Sequence, residues 1–579
     1  MPFVNGLIYC GGMFIKVTTS GGRRYIQLVE SYRDESGRVK KRTVATLGRA
    51  DQAGGQLESV IRGLQRLRGD TPPDAGAVAT VADVRFESSR ALGDVWVLTE
   101  LWDELGFGEL RRVFGRTRSR IDVEALVRLM VLNRLCDPTS KLGVLRWLQT
   151  VALPRFAPKA VTHQQLLRAM DALVAHQDRV QAALAGLLRP LIDQDLSVVF
   201  YDMTTIGVEG ETELAGDLRQ FGMSKDGGIR RQFMLGVVQT AEGLPLTHRV
   251  WEGNTAEAPT LSAVVQEVLA LYPVKRVVLV ADRGLLSLDN LEWLREQRVG
   301  GTEQPLEFIL AVPGRRYAEF AEILEPIHAQ RCATANREVL GETRWQDMRL
   351  VWAHDPRRAQ EQTAARRQHI EELTQEAQRR AGKLDAQEGG TAFRGRRLSD
   401  SGAKAWLFRS VSEAHLGSII KVDLQSDLFT YAIDDKALAR AELNDGKLLL
   451  VTNVPELSAL EVLRRYKSLA DIERGFKILK SEIEIAPVFH RLPDRIRAHA
   501  LICFIALVLY RVMRMRLKDA DSKLSPERAL EQLRRIQYHQ VHLGGERRDG
   551  TSSLSDADHA ILQGLKLPKP SIDDQLALL

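Results

Sequence analysis

Two aspartates in the middle of the chain each follow a short, mainly apolar segment of the kind that forms a buried strand. Asp202 ends the run at residues 196–201, and Asp282 ends the run at residues 276–281. A buried strand gains nothing from a terminal carboxylate, and two carboxylates held close together repel each other unless a cation neutralises them. Mg²⁺ and Mn²⁺ prefer oxygen ligands of this kind. The pair therefore predicts a metal site, with two unrelated strand-end turns as the alternative.

A third carboxylate stands in a later segment whose apolar spacing is helical. Tyr466, Glu473 and Lys480 follow one another at intervals of seven residues. This interval is almost two turns of an α-helix, so the three side chains share one face. They would present an acid that binds metal, a base that grips a phosphate and an aromatic ring that stacks on a nucleic-acid base. Taken alone, the spacing is equally typical of a solvated helix face.

Three carboxylates of this kind indicate a particular chemistry. Two divalent ions about 3.5–4 Å apart can activate an attacking oxygen and stabilise the leaving oxygen in a displacement at phosphorus. We therefore predict that Asp202, Asp282 and Glu473 are both the catalytic residues and the ligands of two Mg²⁺ or Mn²⁺ ions.

The elements that must position these acids follow a recognisable order. Apolar and helical patterns occur at residues 196–201, 232–239, 246–251, 256–271, 276–281, 288–296 and 308–312. They predict a strand, a hairpin, a helix, a strand, a helix and a strand, which is the order of an RNase H-like core up to its fifth strand. The predicted fold class is therefore α/β, with an RNase H-like catalytic core.

The rest of the chain is divided around that core. A region of alternating pattern is followed by helical spacing, and a segment with a very polar helix at residues 357–383 interrupts the core. The predicted units are a small β region with basic hairpins (1–73), a helical DNA-binding domain (74–191), the first part of the core (192–315), an insertion (316–440), the second part of the core (441–515) and a helical C-terminal tail (516–579).

Positive charge is concentrated before the core. Residues 13–49 contain nine Lys or Arg and three acids, and the whole chain has a net charge of +6. Five arginines fall within ten residues, at Arg111, Arg112, Arg116, Arg118 and Arg120. We predict that these arginines bind the phosphates of DNA, and a merely solvated face is the alternative for each cluster.

Other features exclude several classes of protein. The four cysteines are far apart, so they form neither a zinc motif nor a disulfide framework, and they fit a reducing compartment. The most apolar run, residues 500–510, is shorter than the about 20 residues that a bilayer requires and predicts a buried helix. No signal peptide opens the chain, and no glycine-rich phosphate loop indicates the use of ATP. We expect a cytoplasmic protein with no membrane partner.

The segment 466–480 resembles the signature helix of bacterial insertion-sequence transposases of the DDE class. The branch concerned is named for Tyr, Arg, Glu and Lys at fixed spacing. Tyr466, Glu473 and Lys480 match this pattern, whereas Leu469 stands where Arg is usual. Further similarity lies at residues 201–205, 222–227, 251–255, 280–284, 485–490 and 496–507, so that the resemblance covers roughly residues 12–515.

The resemblance implies a fold, an activity and a set of partners. The fold is an RNase H-like core with a β-rich insertion between the second Asp and the Glu. The activity is a Mg²⁺-dependent cut at the ends of a mobile element, followed by transfer of the freed 3′-OH into target DNA. Related enzymes act on double-stranded DNA as homodimers that hold paired ends. Tyr466 and Lys480 are implied to contact DNA near the cleavage site, where a base is sometimes flipped out.

Two other functions were weighed against this one. A phosphatase of the haloacid dehalogenase type needs a second acid two residues after the first, and Thr204 stands there instead. A non-catalytic DNA-binding protein derived from a transposase remains the principal alternative. Such a protein would normally have lost one of the carboxylates, whereas Asp202, Asp282 and Glu473 are all present.

Overall fold

The chain begins with an antiparallel three-stranded sheet. The computed structural model describes residues 13–20, 23–33, 39–49, 84–115, 121–156, 161–192, 197–210, 216–272, 276–285, 287–299, 303–388, 397–543 and 546–571. The first three ranges are strands β1 (Met13–Ser20), β2 (Arg23–Arg33) and β3 (Val39–Arg49). β2 pairs with both of its neighbours. The hairpins predicted here are therefore confirmed.

A single strand and a group of helices follow. They are β4 (Val84–Ala91), α1 (Gly93–Glu104), α2 (Leu110–Phe114), α3 (Val123–Cys136), α4 (Lys141–Trp147), α5 (His163–Ala175) and α6 (Gln177–Leu188). α4 begins at Lys141 because the side chain of Ser140 caps it by accepting the N–H of Gly143 at 3.1 Å. The predicted helical character of this region is confirmed.

The next elements build the sheet that holds both aspartates. They are β5 (Ser197–Gly207), β6 (Gln220–Met223), β7 (Ile229–Thr240), β8 (Pro245–Glu252), α7 (Leu261–Leu271), β9 (Val277–Ala281), α8 (Leu288–Glu296) and β10 (Glu307–Ala311). All five residues of β9 are buried. One boundary was predicted wrongly: Asp202 lies inside β5 and not at its end. The strand continues because β7 pairs with it as far as Gly207.

The segment predicted as a β-rich insertion is mainly helical. It contains α9 (Ala321–Ile327), β11 (Val339–Trp345), β12 (Met348–His354), α10 (Pro356–Glu388), α11 (Asp400–Glu413), β13 (Ile420–Val422), β14 (Tyr431–Ile433) and α12 (Asp435–Asn444). The polar helix predicted at residues 357–383 is α10. Three of its apolar residues, Ile370, Ala377 and Leu384, are buried and follow one another at intervals of seven residues. They pack against Leu407 and Val411 of α11 in a separate small core. This stripe holds α11 against α10, and the predicted β-rich character of the insertion is wrong.

The chain then returns to the sheet and enters the longest buried helix. This part comprises β15 (Lys447–Thr452), α13 (Ala459–Lys467), α14 (Ala470–Ser481) and α15 (Pro493–Asp519). α15 includes the apolar run 500–510 and packs against α3, α5 and β8. Among the described helices it alone is long and apolar enough to cross a bilayer, but 94% of its most apolar stretch is buried inside the protein. The predicted buried helix is confirmed.

The C-terminal region contains strands as well as helices, whereas the sequence predicts only helices there. It contains α16 (Pro526–Leu533), β16 (Gln537–Leu543), β17 (Glu546–Thr551) and α17 (Asp556–Leu565). β16 pairs with β17 on one side and with β4 on the other. The strand forms because a partner almost 450 residues earlier in the chain pairs with it, as in the contact of Ser88 with Gln540. Such a long-range partner is invisible to local sequence patterns.

The main sheet has nine strands and mixed direction. Its order is β11-β12-β15-β10-β9-β5-β7-β6, and β8 also pairs with β7. β5, β9 and β10 run parallel in the centre. β7, β8 and β15 run antiparallel to their neighbours. The central parallel strands are covered on both faces, which agrees with their nearly continuous apolar sequences.

An ion pair between a fully buried aspartate and a partly exposed arginine connects the helical region to the C-terminal region, and we expect it to stabilise the fold. Arg534 Nε donates to Oδ2 of the fully buried Asp94 at 2.7 Å. Asp94→Ala would leave the Arg534 guanidinium without its carboxylate. We expect a loss of about 2 kcal/mol in the free energy of unfolding, measured by urea titration with tryptophan fluorescence.

Glu104→Ala is the matched control for this measurement. Glu104 lies on the same helix, is half-exposed and pairs with Arg516 at 2.8 Å. An exposed pair of this kind contributes less than about 1 kcal/mol. Equal losses in the two variants would contradict the structural role of Asp94.

Candidate active site

The register of two parallel strands places the aspartates side by side. Tyr201 of β5 lies opposite Ala281 of β9. The next residue in each case is an aspartate: Asp202 within β5 and Asp282 directly after β9. Neighbouring strands are about 4.8 Å apart, so Asp202 and Asp282 occupy adjacent positions at the same edge of the two strands. The predicted proximity of the two acids therefore agrees with the strand register.

Burial makes Asp202 an unusual carboxyl. Only 8% of the residue is exposed. Burial raises its pKa to about 6, and the charges of Asp282 and Glu257 add to the rise. The ammonium of Lys225 and the N–H of Met203, which donates to Oδ1 at 2.7 Å, oppose it. A carboxylate in this position is stabilised by a cation, because water reaches it poorly.

Lys225 supplies a cation at this point, and it was not among the predicted site residues. Its Nζ lies 3.3 Å from Oδ1 of Asp202 and 2.9 Å from Oε1 of Glu257, and it also donates to the carbonyl of Met203. The sequence signal was available, since residues 222–227 were recognised as a motif without a role being assigned. Glu257 had no comparable signal.

The signature segment is two helices, not one. α13 ends at Lys467 and α14 begins at Ala470, with a turn at residues 468–469. The prediction of one continuous helix was therefore wrong. Leu469, which stands in place of the usual Arg, is buried in the core at this turn.

Both ends of the signature segment contact the site. The hydroxyl of Tyr466 donates to Oδ1 of Asp282 at 2.9 Å. Lys480 Nζ donates to both oxygens of Asp226, at 2.9 and 3.0 Å. Tyr466 is thus brought to the aspartate pair, whereas Lys480 is held by the residue next to Lys225.

Glu473 lies between these two residues but remains exposed. In the described ranges no group of three or more His, Cys, Asp or Glu side chains is arranged to hold a metal ion. The donor set nevertheless fits a hard divalent cation, because Asp202 and Asp282 are oxygen donors and the Lys225 ammonium already stands in as a cation beside Asp202.

The predicted arginine cluster is only partly described. Arg111 pairs with Asp122 at 3.3 Å and with Glu124 at 3.1 Å. Arg112 pairs with Glu109. Arg116, Arg118 and Arg120 lie outside the described residues. The two described arginines are exposed but have acidic neighbours, and their contact with DNA stays a prediction.

Two parts of the sequence match known families. Residues 193–509 match the Transposase DDE domain, and residues 15–76 match the IS1634 family transposase, N-terminal domain. No protein of curated function matches significantly. Among solved structures, the cryo-EM structure of a piggyBac transposase synaptic complex with hairpin DNA has 7% identity. The similarity covers 76% of this chain and 79% of that one, with a TM-score of 0.38 that is too low to establish a common fold.

The raised pKa of Asp202 predicts a dependence of stability on pH. Because the folded carboxyl holds its proton up to about pH 6, the folded protein binds more protons than the unfolded chain between about pH 4 and 6. Its contribution to stability therefore falls as pH rises through that window. In EDTA at pH 7.5, we expect Asp202→Asn to be more stable than the unsubstituted protein by about 2–3 kcal/mol.

The difference should shrink at pH 5 and vanish below pH 4. Urea titrations at the three pH values would measure it. The control is Glu473→Gln, which replaces an exposed carboxyl and should show no such trend. An Asp202→Asn protein that is less stable at pH 7.5 would contradict the burial argument.

Proposed function

This chain belongs to the DDE transposases, and we propose that it binds the ends of an insertion sequence, cleaves the DNA and joins the freed 3′-OH ends to target DNA. Family membership makes it a metal-dependent DNA transposase. The match of residues 15–76 associates it with insertion sequences, as the resemblance had indicated. The branch with the Tyr-Arg-Glu-Lys signature stays a prediction.

We assign the sheet around the aspartates to an RNase H-like core. The first five core strands in chain order are β5, β7, β8, β9 and β10. In space they lie in the order β8-β7-β5-β9-β10, with β9 and β10 parallel to β5 and β7 antiparallel to it. The predicted order of elements supports the same assignment. Residues 316–440 then interrupt the core, as a mainly helical insertion.

The observation that carries the catalytic proposal is the adjacency of Asp202 and Asp282, with Tyr466 bonded to the second of them. We propose that both aspartates are metal ligands. Two Mg²⁺ or Mn²⁺ ions would activate the attacking oxygen and stabilise the leaving oxygen of the phosphodiester. Asp202 lies within β5 and Asp282 directly follows β9, so the sheet supports the backbone of both carboxylates.

Glu473 is proposed as the third carboxylate. It lies on α14 between Tyr466 and Lys480, and α14 packs against β5, the strand of Asp202. Its side chain is exposed, and in the sequence it lies between Tyr466 of α13 and Lys480 of α14, which both contact the site. A change of rotamer would move its carboxylate without moving the helix.

Tyr466 and Lys480 are proposed to bind DNA beside the scissile bond. Lys480 would exchange Asp226 for a phosphate, and the pair is partly exposed, so breaking it costs little. Tyr466 would keep Asp282 in place and offer its ring to the DNA end. Leu469 cannot make the phosphate contact of the usual Arg, because it is buried in the core.

The regions before the core are proposed to bind double-stranded DNA. Residues 1–73 and 74–191 carry the basic clusters, which include Arg111, Arg112, Arg116, Arg118 and Arg120. The solved piggyBac transposase assembly contains hairpin DNA. We propose that two copies of this chain hold paired DNA ends in the cytoplasm.

The proposal is tested by substituting each carboxylate. Asp202→Asn, Asp282→Asn and Glu473→Gln should each reduce cleavage and joining at least about 10³-fold, because each removes a charged metal ligand. Binding of DNA ends should remain within about threefold, since phosphate contacts elsewhere dominate the affinity. Gel assays of cleavage with Mg²⁺ and of binding in EDTA measure the two effects.

Glu482→Gln is a matched control, because this acid begins the residues after α14 and makes no proposed contact with metal. A near-normal cleavage rate in any of the three variants would remove that residue from the site. Absence of metal-dependent cleavage in the unsubstituted protein on its own DNA ends would favour the alternative, a DNA-binding protein without catalytic activity.

The roles of Tyr466 and Lys480 predict a graded series. Lys480→Arg should keep part of the activity and Lys480→Ala should lose most of it, because a point charge near a phosphate does not require one exact geometry. Tyr466→Ala should reduce the cleavage rate tenfold or more, since stacking on a base contributes about 1–3 kcal/mol. Tyr466→Phe should be milder, although it also loses the bond to Asp282.

Melting temperature and cleavage rate are measured on the same preparations. If Tyr466 only packs against the core and Lys480 only stabilises the helix end, the alanine variants will have lower melting temperatures. Their rate per folded molecule will then be unchanged. That combination would take both residues out of the active site.

A further inference from the structure

The turn between β6 and β7 is built to reach the aspartate pair. The N–H of Ser224 donates to the carbonyl of Gly228 at 2.9 Å, and Gly227 and Gly228 both have positive φ angles, of 97° and 76°. Only glycine adopts such a sequence of angles without strain. The N–H of Lys225 donates to Oγ1 of Thr205, on β5, at 3.0 Å. The fold therefore fixes the backbone of Lys225 above the strand of Asp202.

The ammonium of Lys225 has three oxygen partners, as many as it has protons to donate. They are Asp202 Oδ1, Glu257 Oε1 and the carbonyl of Met203. The side chain is 39% exposed, so surrounding protein does not prevent the ammonium from moving away from Asp202. It lies between two carboxylates that belong to different elements.

The side chain of Glu257 lies close to the end of β9, where Gly284 has no Cβ to obstruct it. A Cβ on Gly284 would lie only 1.9 Å from Glu257 Oε2. Gly284 follows Asp282 by two residues, so Glu257 reaches the segment of the second aspartate. The hydroxyl of Thr260 also donates to the carbonyl of Glu257 at 2.6 Å. Glu257 is thus a fourth carboxylate of the site, with its backbone anchored.

We propose that Lys225 is an internal counterion that neutralises Asp202 in the metal-free enzyme, and that Glu257 receives its ammonium when a divalent cation binds Asp202. The proposal rests on the metal role of Asp202 stated above. Lys225 and the metal compete for the same carboxylate oxygen. Glu257 lowers the cost of that exchange, because it gives the displaced ammonium a partner already in contact at 2.9 Å. Both are positioning residues.

The experiment measures Mn²⁺ binding to the DNA-free protein, with free Mn²⁺ quantified by electron paramagnetic resonance. Lys225→Met keeps the length of the side chain and removes the competitor, so Mn²⁺ should bind about fivefold more tightly. Glu257→Gln leaves the ammonium with Asp202 as its only carboxylate partner, so Mn²⁺ should bind about fivefold more weakly. Lys225→Gln serves as the second variant if Lys225→Met is poorly folded.

General electrostatics would give the same signs, and two further measurements separate the explanations. Lys480→Met removes an equal charge that contacts Asp226 and not Asp202, so its effect should stay below about twofold. In the Lys225→Met background, Glu257→Gln should have little further effect, because no ammonium remains to be received. Additive effects, or an equal effect of Lys480→Met, would overturn the proposal.

Asp202→Asn distinguishes this proposal from the proposed function. If Asp202→Asn leaves Mn²⁺ binding intact, the metal role of Asp202 itself fails. If Asp202→Asn weakens binding while Lys225→Met does not tighten it, only the exchange between Lys225 and the metal fails.

Discussion

Repulsion between two carboxylates on neighbouring parallel strands is the constraint on which the arrangement of the site depends. The register that sets Tyr201 against Ala281 leaves Asp202 and Asp282 no freedom to move apart. Burial removes much of the water that would otherwise screen the charge of Asp202. Three polar contacts reduce this cost. Lys225 pairs with Asp202, the N–H of Met203 donates to Asp202, and the hydroxyl of Tyr466 donates to Asp282.

These contacts depend on elements far apart in the sequence, and the buried helix α15 holds several of them in relation to the sheet. α15 packs against α14 of the signature segment, against β8 of the sheet and against helices α3 and α5. The pairing of β16 with β4 adds a second connection between the two ends of the chain. A displacement of α14 would therefore disturb packing throughout this core. The rigidity that catalysis requires of its ligands is supplied by this packing.

The sequence predicted those features that arise from local pattern. The strands around Asp202 and Asp282 were predictable because their runs are short and apolar. The position of Tyr466 on Asp282 could not be predicted, because the two residues are 184 positions apart.

Other features depended on partners that the sequence does not indicate. The hairpin of β16 and β17 forms because β4 pairs with it, and the helices of the insertion pack around a small core to which α10 contributes the buried residues Ile370, Ala377 and Leu384. Lys225 lies in a segment that resembles the transposases, but its role could not be predicted, because its contacts with Asp202 and Glu257 depend on the fold.

The two lysines of the site differ in how firmly each is held, and this difference orders the events that the site can undergo. Lys480 pairs with Asp226, whose side chain is largely exposed, so water already weakens that pair. Lys225 contacts Asp202, which is buried, and its backbone is fixed to β5. If Lys480 binds DNA as proposed, a phosphate can take its ammonium from Asp226 at little cost before any change occurs at Asp202. Lys225 and Asp226 are adjacent in one glycine-containing turn, so this exchange would free Asp226 beside the ammonium of Lys225. Under the proposed function, DNA binding at Lys480 would therefore act first on the turn that carries Lys225.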